Sequence, residues 1–173
     1  MSSTVDKKNV LINFSQQFTY SDRFDAIFNK GMSLTDRASR YLDGEGRKEA
    51  KLLKSPLNVI YATESMRLTT RLLNLSSWLL LLNSLKRNEI SIQDAIRKRN
   101  NIKIKPFGNI SHIRYLDDLP KGLQKLIRES YTLNNQIYHI DTGLIIDITN
   151  YKNKKNNSRT LKENQKLPEM CFK

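Results

Sequence analysis

The sequence predicts an all-α protein, an antiparallel three-helix bundle with an additional short helix and a disordered C-terminal tail. Three observations carry that expectation. Apolar residues recur every three or four positions over three long stretches. Capping side chains, glycines and prolines punctuate the gaps between them. The alternation of strand and helix that marks a nucleotide-binding fold is absent, as is any repeat at solenoid period. A length of 173 residues and a mass of 20.2 kDa suit one core with tails. The expected division is a flexible arm over 1–19, the helical bundle over 20–141 and a flexible basic tail over 142–173.

Residues 1–19 hold no sustained period. Ser21 then offers an N-cap side chain, and Phe24, Ile27, Phe28, Gly31, Leu34, Ala38, Tyr41 and Leu42 repeat at helical spacing behind it. Gly44 and Gly46 lie where a left-handed residue would end that helix, so Asp43-Gly44-Glu45-Gly46 reads as a turn. Ser55-Pro56 restarts the chain, with serine as the cap and proline in the first turn. The second helix should reach about Leu85, roughly 45 Å at 1.5 Å per residue.

That second helix is the most informative element. Leu57, Tyr61, Leu68, Leu72, Leu75, Leu79 and Leu82 form one stripe, while Val59, Ala62, Met66, Leu73 and Leu80 lie roughly opposite. A surface helix buries one stripe and wets the other face, so two stripes predict a middle helix sandwiched between its own bundle and a second copy or partner. A lone subunit with Met66, Leu73 and Leu80 facing bare solvent would count against that sandwich.

Ser91 and Asp94 resemble a capping box that opens a short helix through Arg99, bridging the second and third long helices. Around Pro106 and Gly108 the pattern dissolves, and Ile102, Ile104, Ile110 and Ile113 are spaced for extended segments with room for a two-stranded element. Asp118 and Pro120 start the last helix, whose stripe is Leu123, Leu126, Ile127, Ser130, Leu133, Ile137 and Tyr138. It should end near Asp141, stopped by Gly143. The tail beyond it carries too little apolar surface to offset the entropy of ordering.

Charge and composition exclude several classes. A formal net charge of +13, from 30 basic and 17 acidic residues, raises nucleic acid as a partner. A basic helical nucleic-acid-binding or regulatory protein is therefore the alternative reading, with Lys86, Arg87, Arg97, Lys98, Arg99, Lys103 and Lys105 on phosphates. Against it, lysine is spread along the chain and no recognition-helix motif stands out. Cys171 is the only cysteine, which leaves no intramolecular disulfide and no cysteine-rich metal site. The longest greasy run, 72–82, is interrupted by Asn74 and two serines and falls short of the roughly 20 residues of a membrane span, so a soluble cytoplasmic protein is expected.

Reactive constellations are missing. His112 and His139 lie in different segments without a metal-binding pattern, and Gly44-Glu45-Gly46 is no phosphate loop. Asp43, Glu45 and Glu49 lack calcium-loop spacing, and Ser65, Ser76 and Ser77 sit in helical pattern without a nucleophile's context. The expectation is a non-enzyme with no metal and no cofactor. Glu64, Arg67 and Arg71 are the sharper feature, because Glu64 and Arg71 stand at the edge of the first apolar stripe where leucine would be expected. Exposed, they would be a weak salt bridge; partly buried, they would fix register or await a partner's charge. Trp78 borders the same stripe, and its indole N–H needs an acceptor in the core.

The block ESMRLTTRLLNLSSWLLLL, preceded by ASRYLDGEGRKEAK and followed by LIRESYTLNNQIYHID, resembles the alphaproteobacterial RcdA family, regulators of CtrA degradation. The similarity spans about 24–141, and the tail from Tyr151 onward finds no counterpart in the family. The resemblance implies a homodimeric bundle of three main helices acting as a non-enzymatic adaptor that helps deliver cell-cycle regulatory proteins to the ClpXP protease. The implied partners are ClpX, a CpdR-like response regulator and protein substrates, or a second adaptor such as PopA. Tethering would be the mechanism, raising effective concentration without a new contact at the protease. The matched motif then suggests Asp43, Arg47, Glu64, Arg67 and Arg71 for partner binding, and the second apolar stripe, Val59, Ala62, Met66, Leu73 and Leu80, offers the dimer interface.

Overall fold

Three long helices surround one apolar core, and the residues at their ends explain where each begins and stops. The structure, a computed structural model, describes residues 18–106, 110 and 113–164, with side chains as far as Leu144. In chain order the helices are α1 (Asp22–Asp43), α2 (Glu45–Leu52), α3 (Leu57–Lys86), α4 (Ile92–Arg99) and α5 (Lys121–Asn164), with a 3₁₀ turn over Leu116–Asp118. The all-α class is as expected, and no strand forms among the described residues. Ile104 and Ile113 are nevertheless buried, so the irregular segment packs without pairing. Most of the predicted arm, His112 and the last nine residues lie outside the described residues. Phe18 and Thr19 are helical, and Thr19 is buried.

The Ser21 hydroxyl accepts from the Phe24 N–H at 3.3 Å, and Asp22 and Asp25 in the first turn suit the positive end of α1. The other predicted boundaries differ. Gly44 has φ −103° and is not left-handed; what it provides is clearance, since a Cβ there would lie 2.8 Å from the Arg40 carbonyl oxygen. Gly46 belongs to no turn but to α2, whose Glu, Arg, Lys, Ala and Leu residues restart a helix at once. Pro56 holds the N-cap position of α3, and Ser55 makes no side-chain cap. α5 passes through Gly143 to Asn164, well past the predicted end. A glycine inside a helix costs only about 1 kcal/mol relative to alanine, so one alone does not stop it.

Cross-helix contacts give the directions. Lys86 at the end of α3 meets Asp25 at the start of α1 at 2.6 Å, and Thr35 meets Ser76 at 3.0 Å, so these helices are antiparallel. α1 is also antiparallel to α5, through Arg37 with Glu129 and Tyr41 against Gly122. Arg71 with Ser130 and Trp78 with Asp141 show that α3 and α5 run parallel. Residues 87–120 make the return possible. They include α4, capped by Ser91 accepting from the Asp94 N–H at 3.1 Å, and a segment pinned by Asn134 donating to the Lys105 carbonyl at 2.8 Å.

α3 buries Tyr61, Leu68, Leu72, Leu75, Trp78, Leu79 and Leu82 against its neighbours. Its opposite stripe is bare: Val59 is 62% exposed, Met66 72%, Leu73 65% and Leu80 51%, and Ala62 is exposed with them. Within the subunit, then, the middle helix is covered on one flank only. Met66, Leu73 and Leu80 thus face solvent in the lone subunit, the outcome that counts against the expected sandwich, because α1 and α5 both pack on the same side of α3.

Candidate functional site

The bare flank of α3 has a regular texture. Val59, Met66, Leu73 and Leu80 recur every seven residues, two helical turns apart, over a rise of about 32 Å. Between these large side chains stand Ala62, Thr63, Thr69, Thr70 and Ser77. Four of their hydroxyls fold back onto the helix: Thr63 donates to the Val59 carbonyl at 2.8 Å, Thr69 to Ser65 at 2.9 Å, Thr70 to Met66 at 3.0 Å and Ser77 to Leu73 at 2.8 Å. Back-bonding of this kind hides the donors and leaves methyl and methylene groups outward. The result is an apolar ridge with shallow hollows, suited to another helix.

Beside the ridge, α1 and α3 bound a cleft of about 320 Å³ whose lining includes Ala38, Leu42, Asp43, Leu72 and Leu73. The predicted Asp43 and Leu73 are therefore brought to one cleft. Arg47 stands exposed on α2. The predicted charged trio splits. Arg67 is exposed and donates to Glu64 Oε1 at 2.7 Å, whereas Glu64 and Arg71 are 3% and 5% exposed and lie inside the bundle. Neither of those two faces a partner directly in this subunit. Arg71 Nη1 donates to Ser130 Oγ at 2.6 Å, and its guanidinium lies over the Tyr131 ring at 4.1 Å. Burial lowers the Arg71 pKa, partly offset by the attraction of Tyr131 and Glu64. Glu64 Oε2 is buried without a hydrogen bond among the described residues.

Two further clusters escape a reading of the sequence. Asp141, read as a helix end, is 2% exposed and accepts from Trp78 Nε1 at 2.9 Å and from Arg99 Nε at 2.9 Å, with a second bond from Arg99 Nη2. The need of Trp78 for an acceptor was the available signal. The Tyr41 ring is held between Gly46 of α2 and Gly122 of α5, and its hydroxyl donates to Glu49 Oε2 at 2.5 Å. Burial first, and then that bond, raise the Tyr41 pKa above the ordinary phenol range.

The cations of the nucleic-acid alternative are mostly engaged. Lys86 pairs with Asp25, Arg87 with Glu89, Arg97 with Asp94 and Arg99 with Asp141, leaving Lys98, Lys103 and Lys105 exposed. Among the described residues no cluster of three metal-ligating side chains forms, and no helix is long and apolar enough to cross a membrane.

A family model described as a protein of unknown function (DUF1465) matches residues 15–168. Among solved structures, RcdA from Caulobacter crescentus CB15 is 34% identical, with a TM-score of 0.61 over 75% of this chain and 96% of that one. The chain belongs to the RcdA family. The family match continues through residue 168, so most of the tail from Tyr151, expected to lack a counterpart, falls within it. No curated protein matches the sequence. Within this chain the block SMRLTTRLLNLSSWLL supplies both the buried face of α3 and part of the bare one.

Proposed function

We propose that the protein is a non-enzymatic adaptor that helps deliver cell-cycle regulatory proteins to the ClpXP protease in the cytoplasm. The observation that carries the reading is the likeness to RcdA, 34% identical over 96% of that chain. A ridge of this length, with its hydroxyls turned inward, has no role in the stability of the lone subunit and is costly to leave in water. Self-association through Val59, Ala62, Met66, Leu73 and Leu80 covers it, and two-fold symmetry suits a single repeating stripe. Asp43, Arg47 and Arg67 form the charged margin that selects partners. Glu64 and Arg71 act from within, Glu64 by holding the Arg67 guanidinium and Arg71 by fixing α3 against α5.

Partners of this reading are ClpX, a CpdR-like response regulator, and substrates or a second adaptor. The work done is tethering: a bound substrate meets the protease at an effective concentration that reaches the millimolar range for short connections. The test is degradation of a candidate cell-cycle regulator by ClpXP at fixed ATP, with and without the full chain. Acceleration that is lost in Arg67→Glu and Asp43→Arg supports the adaptor. No acceleration, combined with salt-sensitive retention on nucleic acid, overturns it in favour of the basic-module reading.

A further inference from the structure

The short helix α4 and the last turns of α3 bound a cleft that the reading above does not use. About 350 Å³ in volume, it is lined by Leu80 and Leu81 of α3, by Ile90 and Ile102 on either side of α4 in sequence, and by Lys98 and Asn101. The α4 side is held at both ends. Ser91 caps its start, Arg99 is anchored on buried Asp141, and the Asn101 and Ile102 N–H groups donate to the Lys98 and Arg99 carbonyls at 3.1 and 2.9 Å. The cleft is therefore preformed, with half-exposed Leu80 as the residue it shares with the ridge.

The charge around the cleft has one sign. Residues 95–116 include Arg97, Lys98, Arg99, Lys103, Lys105 and Arg114 and no aspartate or glutamate. Arg97 and Arg99 are paired with Asp94 and Asp141, whereas Lys98 is exposed and joins no ion pair among the described residues. An ammonium group and the Asn101 amide thus stand among four aliphatic side chains, and the surrounding field draws a carboxylate toward them. The aliphatic part of the lining decides against nucleic acid. Phosphate binding draws on charge alone, and single strands stack their bases on aromatic rings, but no aromatic side chain lines the cleft among the described residues. Four aliphatic neighbours suit an aliphatic guest, whose burial contributes more than an exposed ion pair does.

We propose that this cleft binds an acidic peptide segment of a partner protein, with a leucine or isoleucine side chain entering among Leu80, Leu81, Ile90 and Ile102 and a flanking aspartate or glutamate meeting Lys98. The aliphatic contact supplies affinity, and the lysine supplies orientation and rate of encounter. Binding here needs neither the protease nor a second copy. It can hold where the adaptor reading fails, and fail where that reading holds.

The experiment is fluorescence anisotropy with the full chain and a labelled peptide, Gly-Asp-Glu-Leu-Ile-Glu-Asp-Gly, blocked at both ends. Saturable binding is expected, weakened at least about tenfold when glycines replace Leu-Ile, as the loss of a buried aliphatic side chain requires. Lys98→Glu should weaken it about tenfold, Lys98→Arg should preserve it, and Lys48→Glu, an equal change of charge on α2, should leave it within about twofold. Met66→Glu with Leu73→Glu should also leave it unchanged, and a thermal melt verifies that each variant folds. No saturable binding below about 1 mM overturns the proposal. Equal losses in Lys98→Glu and Lys48→Glu make the attraction one of net charge, and loss with the Met66 and Leu73 pair puts the peptide on the ridge. Displacement by an oligothymidylate of equal charge makes the site one for phosphate; each of these three results also overturns it.

Discussion

Replacing Asp141 by alanine tests whether the bundle is locked by one buried carboxylate. Asp141 is 2% exposed and holds three donors from two other helices, Trp78 of α3 and Arg99 of α4. Removing it leaves the Trp78 indole N–H in the core without this acceptor, at about 1–3 kcal/mol. Arg99 also loses its ion pair; a fully buried pair so broken costs about 3–5 kcal/mol, but the Arg99 side chain is 26% exposed and regains water, which discounts that figure. The expected total is about 3–4 kcal/mol for Asp141→Ala. Asp141→Asn keeps an oxygen for Trp78 but loses the charge and the acceptor for Arg99 Nη2, so it should cost less than alanine by about the worth of the indole bond. Urea unfolding followed by the fluorescence of Trp78, the sole tryptophan, reads both. An alanine variant less than about 1 kcal/mol below wild type would refute the lock. So would an asparagine variant as unstable as alanine, since charge rather than the indole bond would then account for the cost.

Changing Met66 and Leu73 together to glutamate should convert any dimer to monomer in analytical ultracentrifugation, while the melting temperature of the monomer stays within the small range of surface substitutions. Gly122→Ala should destabilise by about 1–3 kcal/mol in urea titration, because its Cβ strikes the Tyr41 ring and Gly46 closes the other side; Tyr41→Leu should recover part of the loss. The Arg37 bond depresses the Glu129 pKa below its unfolded value, so its stabilisation is present above the ordinary carboxylate range and disappears as pH falls through the folded pKa. Stability of wild type and Glu129→Gln, measured from pH 7 to pH 3, should therefore converge at the acid end.

Helical periodicity was legible wherever one face meets the core, since burial imposes the 3.6-residue spacing on the sequence itself. Phe24, Ile27, Leu34 and Ala38 on α1, and Leu123, Ile127, Leu133 and Ile137 on α5, are all buried as read. Helix ends were less legible, because a glycine signals an ending only by analogy. Gly44 and Gly46 serve clearance around Arg40 and Tyr41, and Gly143 is carried by the helix around it. Direction was less legible still, for nothing local in 87–120 says that the chain returns along the bundle and lays α5 parallel to α3. At the site, the bare stripe of α3 was visible as pattern. The burial of Arg71 was not, because its partners Ser130 and Tyr131 lie some sixty positions away in sequence.

Why one helix carries both duties follows from its edges. A helix apolar on two flanks is ambiguous about which flank its own chain should cover, and hydrophobic burial alone cannot choose. Arg71 resolves the choice on α3, since Ser130 and Tyr131 on α5 engage it from within the bundle. Turning the helix by half a revolution would expose that set and bury Thr63, Thr69 and Thr70 against α5. Their hydroxyls are satisfied within α3 and would add little there. The buried charge thus selects register at some cost in stability, and the flank it rejects is the one left for other molecules. Replacing Arg71 by methionine should then keep or raise stability while loosening that choice, visible as faster hydrogen exchange in α3 than in wild type. Unchanged exchange would mean that packing of Leu68, Leu75 and Leu79 already fixes the orientation without the charge.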